Sequence, residues 1–213
     1  SLKSFYQIFG NEYWQFDYFY LGDAGSDVAY AGGDGDDFFQ IDQYRVIATD
    51  YVVARDWNHI NGFVKLCNKV INYVETVPDL SQTRKDEMMG QASLYRALSR
   101  FMGVQTWGEF PIVTEYISSV NQDNFDEVYP SLYPNRKPIS EVYAAIISDC
   151  EVALAKAPDA TSAPESKYSP NKGAANALLA KVYATKPDPD WTKVIQYADV
   201  VIATEEDDRD DDG

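Results

Sequence analysis

The 213 residues carry 34 acids against 18 Lys and Arg, a formal net charge of −16, with 45% hydrophobic and 24% charged residues. That balance is ordinary for a folded chain and far from the composition of disorder, while an acidic field without any Lys/Arg cluster excludes nucleic acid as a partner. The apolar runs fall well short of the roughly 20 residues that a membrane-spanning helix needs.

Phe5, Phe9, Tyr13, Phe16 and Tyr20 recur at helical spacing and put aromatic rings on more than one face, which predicts a helix over 5–20 packed on most sides. Residues 22–37, GDAGSDVAYAGGDGDD, then favour turns and left-handed backbone over any periodic element and predict a long loop. Trp57, Ile60, Val64, Cys67, Ile71 and Val74 step by three and four, so they share one helical stripe that ends before Pro78. Trp57 reads as a core anchor of that stripe. A second long helix is expected from Ser81 through Met88, Gln91, Tyr95, Leu98 and Met102 to Gly108, giving an antiparallel hairpin with the first. Residues 114–138 are rich in Asn, Asp, Tyr and Pro without helical period and read as a second long loop.

Ser140 is the expected cap of a helix carrying Tyr143, Ile146, Ile147, Cys150 and Leu154 up to Pro158, and Asn171 the cap of one carrying Ala175, Leu178, Leu179, Val182 and Tyr183. After Pro187, Trp191, Val194, Ile195, Ala198, Val201 and Ile202 complete the last amphipathic helix. Cys67 and Cys150, each at an apolar helical position, read as buried free thiols. No stretch shows sustained strand alternation. The fold class is therefore all-α, helical hairpins with long irregular loops: one domain over 1–204, then an acidic tail over 205–213 in which seven acids face one Arg. The Ala-rich pair from Ala174 to Ala203 matches the tetratricopeptide pattern, with a turn about two residues longer than the consensus, although any close-packed helical hairpin wants the same residue types.

Four segments in order resemble the SusD/RagB family of Gram-negative outer-surface proteins. They are WNHINGFVKLCNKVI from Trp57, GQASLYRALSRFMGVQTWGEFPIVTE from Gly90, KPISEVYAAIISDCEVAL from Lys137, and GAANALLAKVYA from Gly173 with its Asp-Trp turn. The resemblance implies a cell-surface outer-membrane lipoprotein that captures oligosaccharide or polysaccharide for a SusC-like TonB-dependent transporter, and not an enzyme. It also implies a second half of comparable length after Ile202 and a lipid-bearing Cys near the N-terminus, neither of which is among these residues. The chain by itself is accordingly expected to bind its glycan weakly or not at all.

The chemistry legible in single residues is sparse. His59 is the only histidine, so no His-based metal or nucleophilic set assembles, and it reads as a surface or satisfied helical residue. Glu109, Glu115, Asp123 or Asp126 could serve glycosidase chemistry, but among 34 acids nothing fixes one pair at the required separation. Asp34, Asp36 and Asp37 offer hard oxygen ligands for a structural calcium, yet lack EF-hand order; they read as a solvated turn, and no cofactor is expected.

Sugar capture needs flat apolar faces beside polar groups on a rigid scaffold. Both loops hold that mixture. Asp27, Tyr30, Asp36, Phe38, Tyr44 and Arg45 with Phe39 in the first, and Tyr116, Asn121 and Tyr129 with Phe125 and Tyr133 in the second, are the candidate ligand-binding residues. The competing reading makes most of these rings core plugs beneath long loops. A second class, a tetratricopeptide scaffold binding a peptide in a concave groove, has little use for about 25 residues of connection between neighbouring helices.

Overall fold

The structure, a computed structural model, describes residues 9–30, 35–159 and 169–210, with side chains up to Ala203. It divides into two compact units, Ser1–Phe63 and Val64–Gly213.

In the first unit a π-helical turn, Tyr13–Asp17, passes directly into helix α1, Tyr18–Gly22, and a 3-10 turn, Asp23–Gly25. Helix α2 spans Asp36–Asp42, and helix α3, Tyr51–Tyr73, begins in this unit. Asp50 caps α3, its Oδ1 accepting the Val53 N–H at 3.1 Å. Tyr13, Ala24, Ile41, Val52, Ile60 and Phe63 are the buried apolar side chains.

Two expectations are corrected here. The segment expected to be a helix over 5–20 starts near Glu12, and it is not packed on most sides: Tyr13 and Asp17, one turn apart, are buried, whereas Phe16, Tyr18 and Phe19 are more than half exposed. Phe5 lies outside the described residues. The first loop is also partly helical, because Asp36 and Asp37 supply acids to the first turn of α2, where negative charge is favourable.

The second unit is a series of antiparallel helices. The last part of α3 is followed by a 3-10 turn, Val74–Thr76, then by α4, Gln82–Trp107; α6, Ile139–Lys156; α7, Lys172–Thr185; and α8, Trp191–Asp210. Helix α4 packs on α6, α6 on α7, and α7 on α8. Ser81 caps α4 by accepting the Arg84 N–H, and Asn171 caps α7 by accepting the Ala174 N–H at 2.9 Å. Gly108 ends α4 at φ +69°, a left-handed conformation in which a side chain would be strained.

Helix α4 is the centre of this unit. Residues 90–104 are buried around almost the whole circumference, with Leu98 half-buried. Gly90 makes the approach to α6 possible, since a Cβ there would lie 2.3 Å from the Ala157 nitrogen. Cys67 and Cys150 are both buried and free, and burial pushes each thiol up, away from ionisation.

Details differ from the apolar pattern. Of the expected stripe, Ile60, Val64, Cys67 and Val74 are buried, but Trp57 and Ile71 are only half-buried; Asp56 and Phe63 are buried as well, and Phe63 takes the anchoring position expected of Trp57. Ser140 does not cap α6, which starts at Ile139 after Pro138, a residue that tolerates the first turn because its missing N–H has no partner to lose. Helix α8 continues past Ile202 to Asp210, since no Gly or Pro interrupts the acidic segment before Gly213.

Candidate functional site

The connection between α4 and α6 runs over 108–138. Its ends are tied by a minimal antiparallel pair, β1, Phe110–Pro111, with β2, Arg136–Lys137. Between them the expected irregular loop contains a short helix, α5, Phe125–Leu132, with Pro130 inside it.

What holds the start of this connection is a buried polar network. Asp149 of α6 receives Arg96 through both Nε and Nη2, at 2.9 and 2.6 Å, and Arg100 through Nη1 at 2.7 Å. Two guanidiniums on one carboxylate leave donors to spare, and the chain uses them. Arg96 Nη1 donates to Asn68 Oδ1 at 2.8 Å, and Arg100 Nη2 to the Val113 carbonyl at 2.8 Å. Burial holds Arg100 at about 10, below the ordinary guanidinium value, against the favourable charge of Asp149. From α3, Asn68 Nδ2 donates to the carbonyls of Val113 and Glu115, at 3.0 and 3.2 Å. One turn on, Asn72 donates to the Thr114 carbonyl at 3.2 Å and accepts the Tyr116 N–H at 2.8 Å. The helix thereby supplies amide side chains where a sheet would supply a neighbouring strand.

Beyond this clamp the aromatic residues diverge in role. Tyr116 is half-buried, edge-on to Tyr73 with centroids 5.8 Å apart, and Lys69 lies over its ring at 5.4 Å. Asn121 organises the turn, its Oδ1 accepting the Asp123 and Asn124 N–H groups. Phe125, Tyr129 and Tyr133, spaced by four, form a ladder with successive centroids 5.5 and 4.9 Å apart. These three are 43%, 48% and 67% exposed, so the reading of rings as core plugs does not apply to them. The sequence marks Phe125 and Tyr133 only as loop aromatics beside the candidates; a loop reading gives no weight to the spacing of four that joins them to Tyr129. The exposed carboxylates of Asp123, Asp126 and Glu127 lie in the same stretch. Chemically this is a row of open π faces with hydroxyl and carboxylate acceptors beside it, the groups that meet C–H faces and hydroxyls of a sugar.

The candidates of the first unit lie as follows. Asp27 is in an exposed turn and Asp36 is exposed at the start of α2. Phe38 is half-buried against Tyr20, centroids 4.2 Å apart, and Tyr30, 72% exposed, borders Phe39 at 6.0 Å. Tyr44 adopts φ +54° and donates its hydroxyl to the Gly25 carbonyl, which ties the turn after α2 to the turn after α1. Arg45 is exposed and bonded to Gln43. Asp34 lies outside the described residues, and among the described residues no group of three or more His, Cys, Asp or Glu side chains is placed to hold a metal ion.

One carboxyl pair does stand out in this unit, and solvent does not reach it. Asp17 and Asp56 are buried together, with Arg55 bonded to Asp17 and Glu12. Desolvation first, then the hydrogen bond and charge of Asp17, push Asp56 up to about 8. Two carboxylates would repel, so the contact is attractive only with a proton between them. His59, one turn along α3, is half-buried, and its Nδ1 has no hydrogen-bond partner among the described residues.

Among the described residues no helix is long and apolar enough to cross a membrane. A family profile described as SusD-like, starch-binding and associating with the outer membrane matches residues 26–184. A SusD-like protein of Bacteroides ovatus is 29% identical over 145 residues, 67% of this chain and 24% of that protein. A SusD superfamily structure from Bacteroides thetaiotaomicron superposes with TM-score 0.74 at 22% identity, covering 94% of this chain and 44% of that one. A laminarin-binding SusD-like protein superposes with TM-score 0.70 at 23% identity, over 85% and 37%. The chain thus spans about a quarter of the Bacteroides ovatus relative and less than half of these solved chains. With the profile matched over most of its length and the tetratricopeptide-like helical scaffold shared, the chain belongs to the SusD-like family.

Proposed function

We propose that this chain is the helical part of a cell-surface protein that captures polysaccharide at the outer membrane and passes it to a SusC-like TonB-dependent transporter, without itself cleaving the glycan. The observation that carries the reading is the exposed Phe125–Tyr129–Tyr133 ladder on a rigidly clamped connection, in a chain of the SusD-like family. The laminarin-binding relative supports a neutral glucan as the ligand class. Three faces worth roughly 1 kcal/mol each give an affinity only in the millimolar range, which suits a surface that must release what it gathers.

Affinity electrophoresis through gels containing laminarin or soluble starch tests the reading. The chain is expected to be only slightly retarded, in keeping with weak binding, and the double variant Tyr129→Ala with Tyr133→Ala to migrate as in a gel without glycan. Equal retardation of both proteins would remove the ladder from the function. Release of reducing sugar would overturn the non-enzymatic reading.

A further inference from the structure

Helix α5 buries none of its residues, so core packing does not fix where its rings point. Something else must, because an unanchored eight-residue helix would spread Phe125 and Tyr129, and Tyr133 just past its end, over many orientations. The polar contacts supply the anchor. Asn68 and Asn72 grip the backbone from Val113 to Tyr116 through four hydrogen bonds of 2.8–3.2 Å. Glu115 sits in the middle of that gripped segment, its own carbonyl held by Asn68, and its side chain reaches forward: the Ser131 hydroxyl of α5 donates to Glu115 Oε2 at 2.9 Å. Ser131 lies between Tyr129 and Tyr133 in sequence, so holding it limits rotation of the helix that carries the ladder.

We propose that Glu115 and Ser131 are positioning residues for the aromatic face, a latch joining α5 to the segment clamped by α3, so that the ladder is ordered before a glycan arrives. The proposal rests on the reading of the ladder as a glycan face. A latched face avoids paying for its own ordering on binding, and affinity scales with the fraction of molecules in the competent arrangement.

The variants Ser131→Ala, Glu115→Ala and Glu115→Gln separate the possibilities, because Gln retains an oxygen that can accept from Ser131 while losing the charge. Hydrogen–deuterium exchange across 125–133 needs no ligand and is read first. Several-fold faster exchange is expected in Ser131→Ala and Glu115→Ala, and exchange near that of the parent chain in Glu115→Gln. Binding to laminarin, followed by titration calorimetry, should weaken roughly 3–5-fold in the first two variants and return in the third. Unchanged exchange in Ser131→Ala overturns the latch. So does a Glu115→Gln variant that binds as poorly as Glu115→Ala, which would mean that the charge itself meets the sugar. Tyr129→Ala run alongside keeps the two ideas apart. Its loss of binding with Ser131→Ala unaffected leaves the face standing and removes the latch, whereas its binding like the parent chain removes both.

Discussion

Replacing Asp56 by Asn should make the protein more stable, and more so as pH rises. Asp56 is fully buried with its carboxyl against Asp17, and it keeps its proton up to about pH 8, whereas an unfolded chain releases that proton near 3.8. The folded state therefore binds the extra proton between those limits. The associated stability is fully present below about pH 4 and is lost as pH climbs toward 8, at about 1.4 kcal/mol per pH unit. At pH 7, just over three units above the unfolded value, Asp56 costs the folded chain about 4 kcal/mol relative to a neutral isostere. Asn supplies that isostere with an amide N–H to donate to Asp17. Urea unfolding of the parent chain and Asp56→Asn at pH 4.5, 6, 7 and 8 checks this, and subtracting the two profiles cancels the titrating groups that do not interact with Asp56. The difference should be small at pH 4.5 and grow steadily. A difference that stays constant across the range, or an Asn variant less stable throughout, would refute the shared proton.

Asp149→Ala should cost about 3–5 kcal/mol in denaturant unfolding, because it strands the buried guanidiniums of Arg96 and Arg100 without their carboxylate; a loss below 1 kcal/mol would mean that water relieves them. Gly90→Ala should destabilise by several kcal/mol despite its better helix propensity, since the new methyl meets Ala157 backbone and not a yielding side chain; thermal melting reads the sign directly. Trp57→Ala should cost about 1–2 kcal/mol, below the roughly 3–5 kcal/mol of a fully buried aromatic, because the ring is only half-buried. Phe63→Ala, four-square in the core, should exceed it in the same melt.

The long helices are legible because their burial repeats at three and four residues, and because Ser81, Asn171 and Gly108 mark ends with the chemistry that helix ends require. Three features escape that logic. Arg96 and Arg100 interrupt an apolar stretch, and a charge in such a place looks like an outward face until Asp149, 49 or 53 residues away, is brought beside it. Asp17 and Asp56 similarly acquire meaning only through tertiary contact. Helix α5 was hidden by Pro130 and by its Asn/Asp-rich surroundings; Pro removes one hydrogen bond near the end of a short helix, where few bonds remain to be lost. Of the candidate binding residues, Tyr129 stands in the exposed ladder, while Asn121 organises a turn and Tyr116 packs under its neighbours. Residue type could not separate these roles, because the same Tyr and Asn serve stacking, turn formation and packing.

The grip of Asn68 and Asn72 on residues 113–116 has a consequence for how such a surface changes over generations. Every one of those contacts is made to main-chain carbonyl or N–H groups, which all residue types except proline present alike. Substitutions in the gripped segment are thus decoupled from its attachment. Exchanging Val113 or Thr114 would leave the grip intact, whereas Glu115 and Tyr116 also carry side-chain contacts of their own, to Ser131 and to Tyr73, so the two amides fix the frame while only part of its surface can drift.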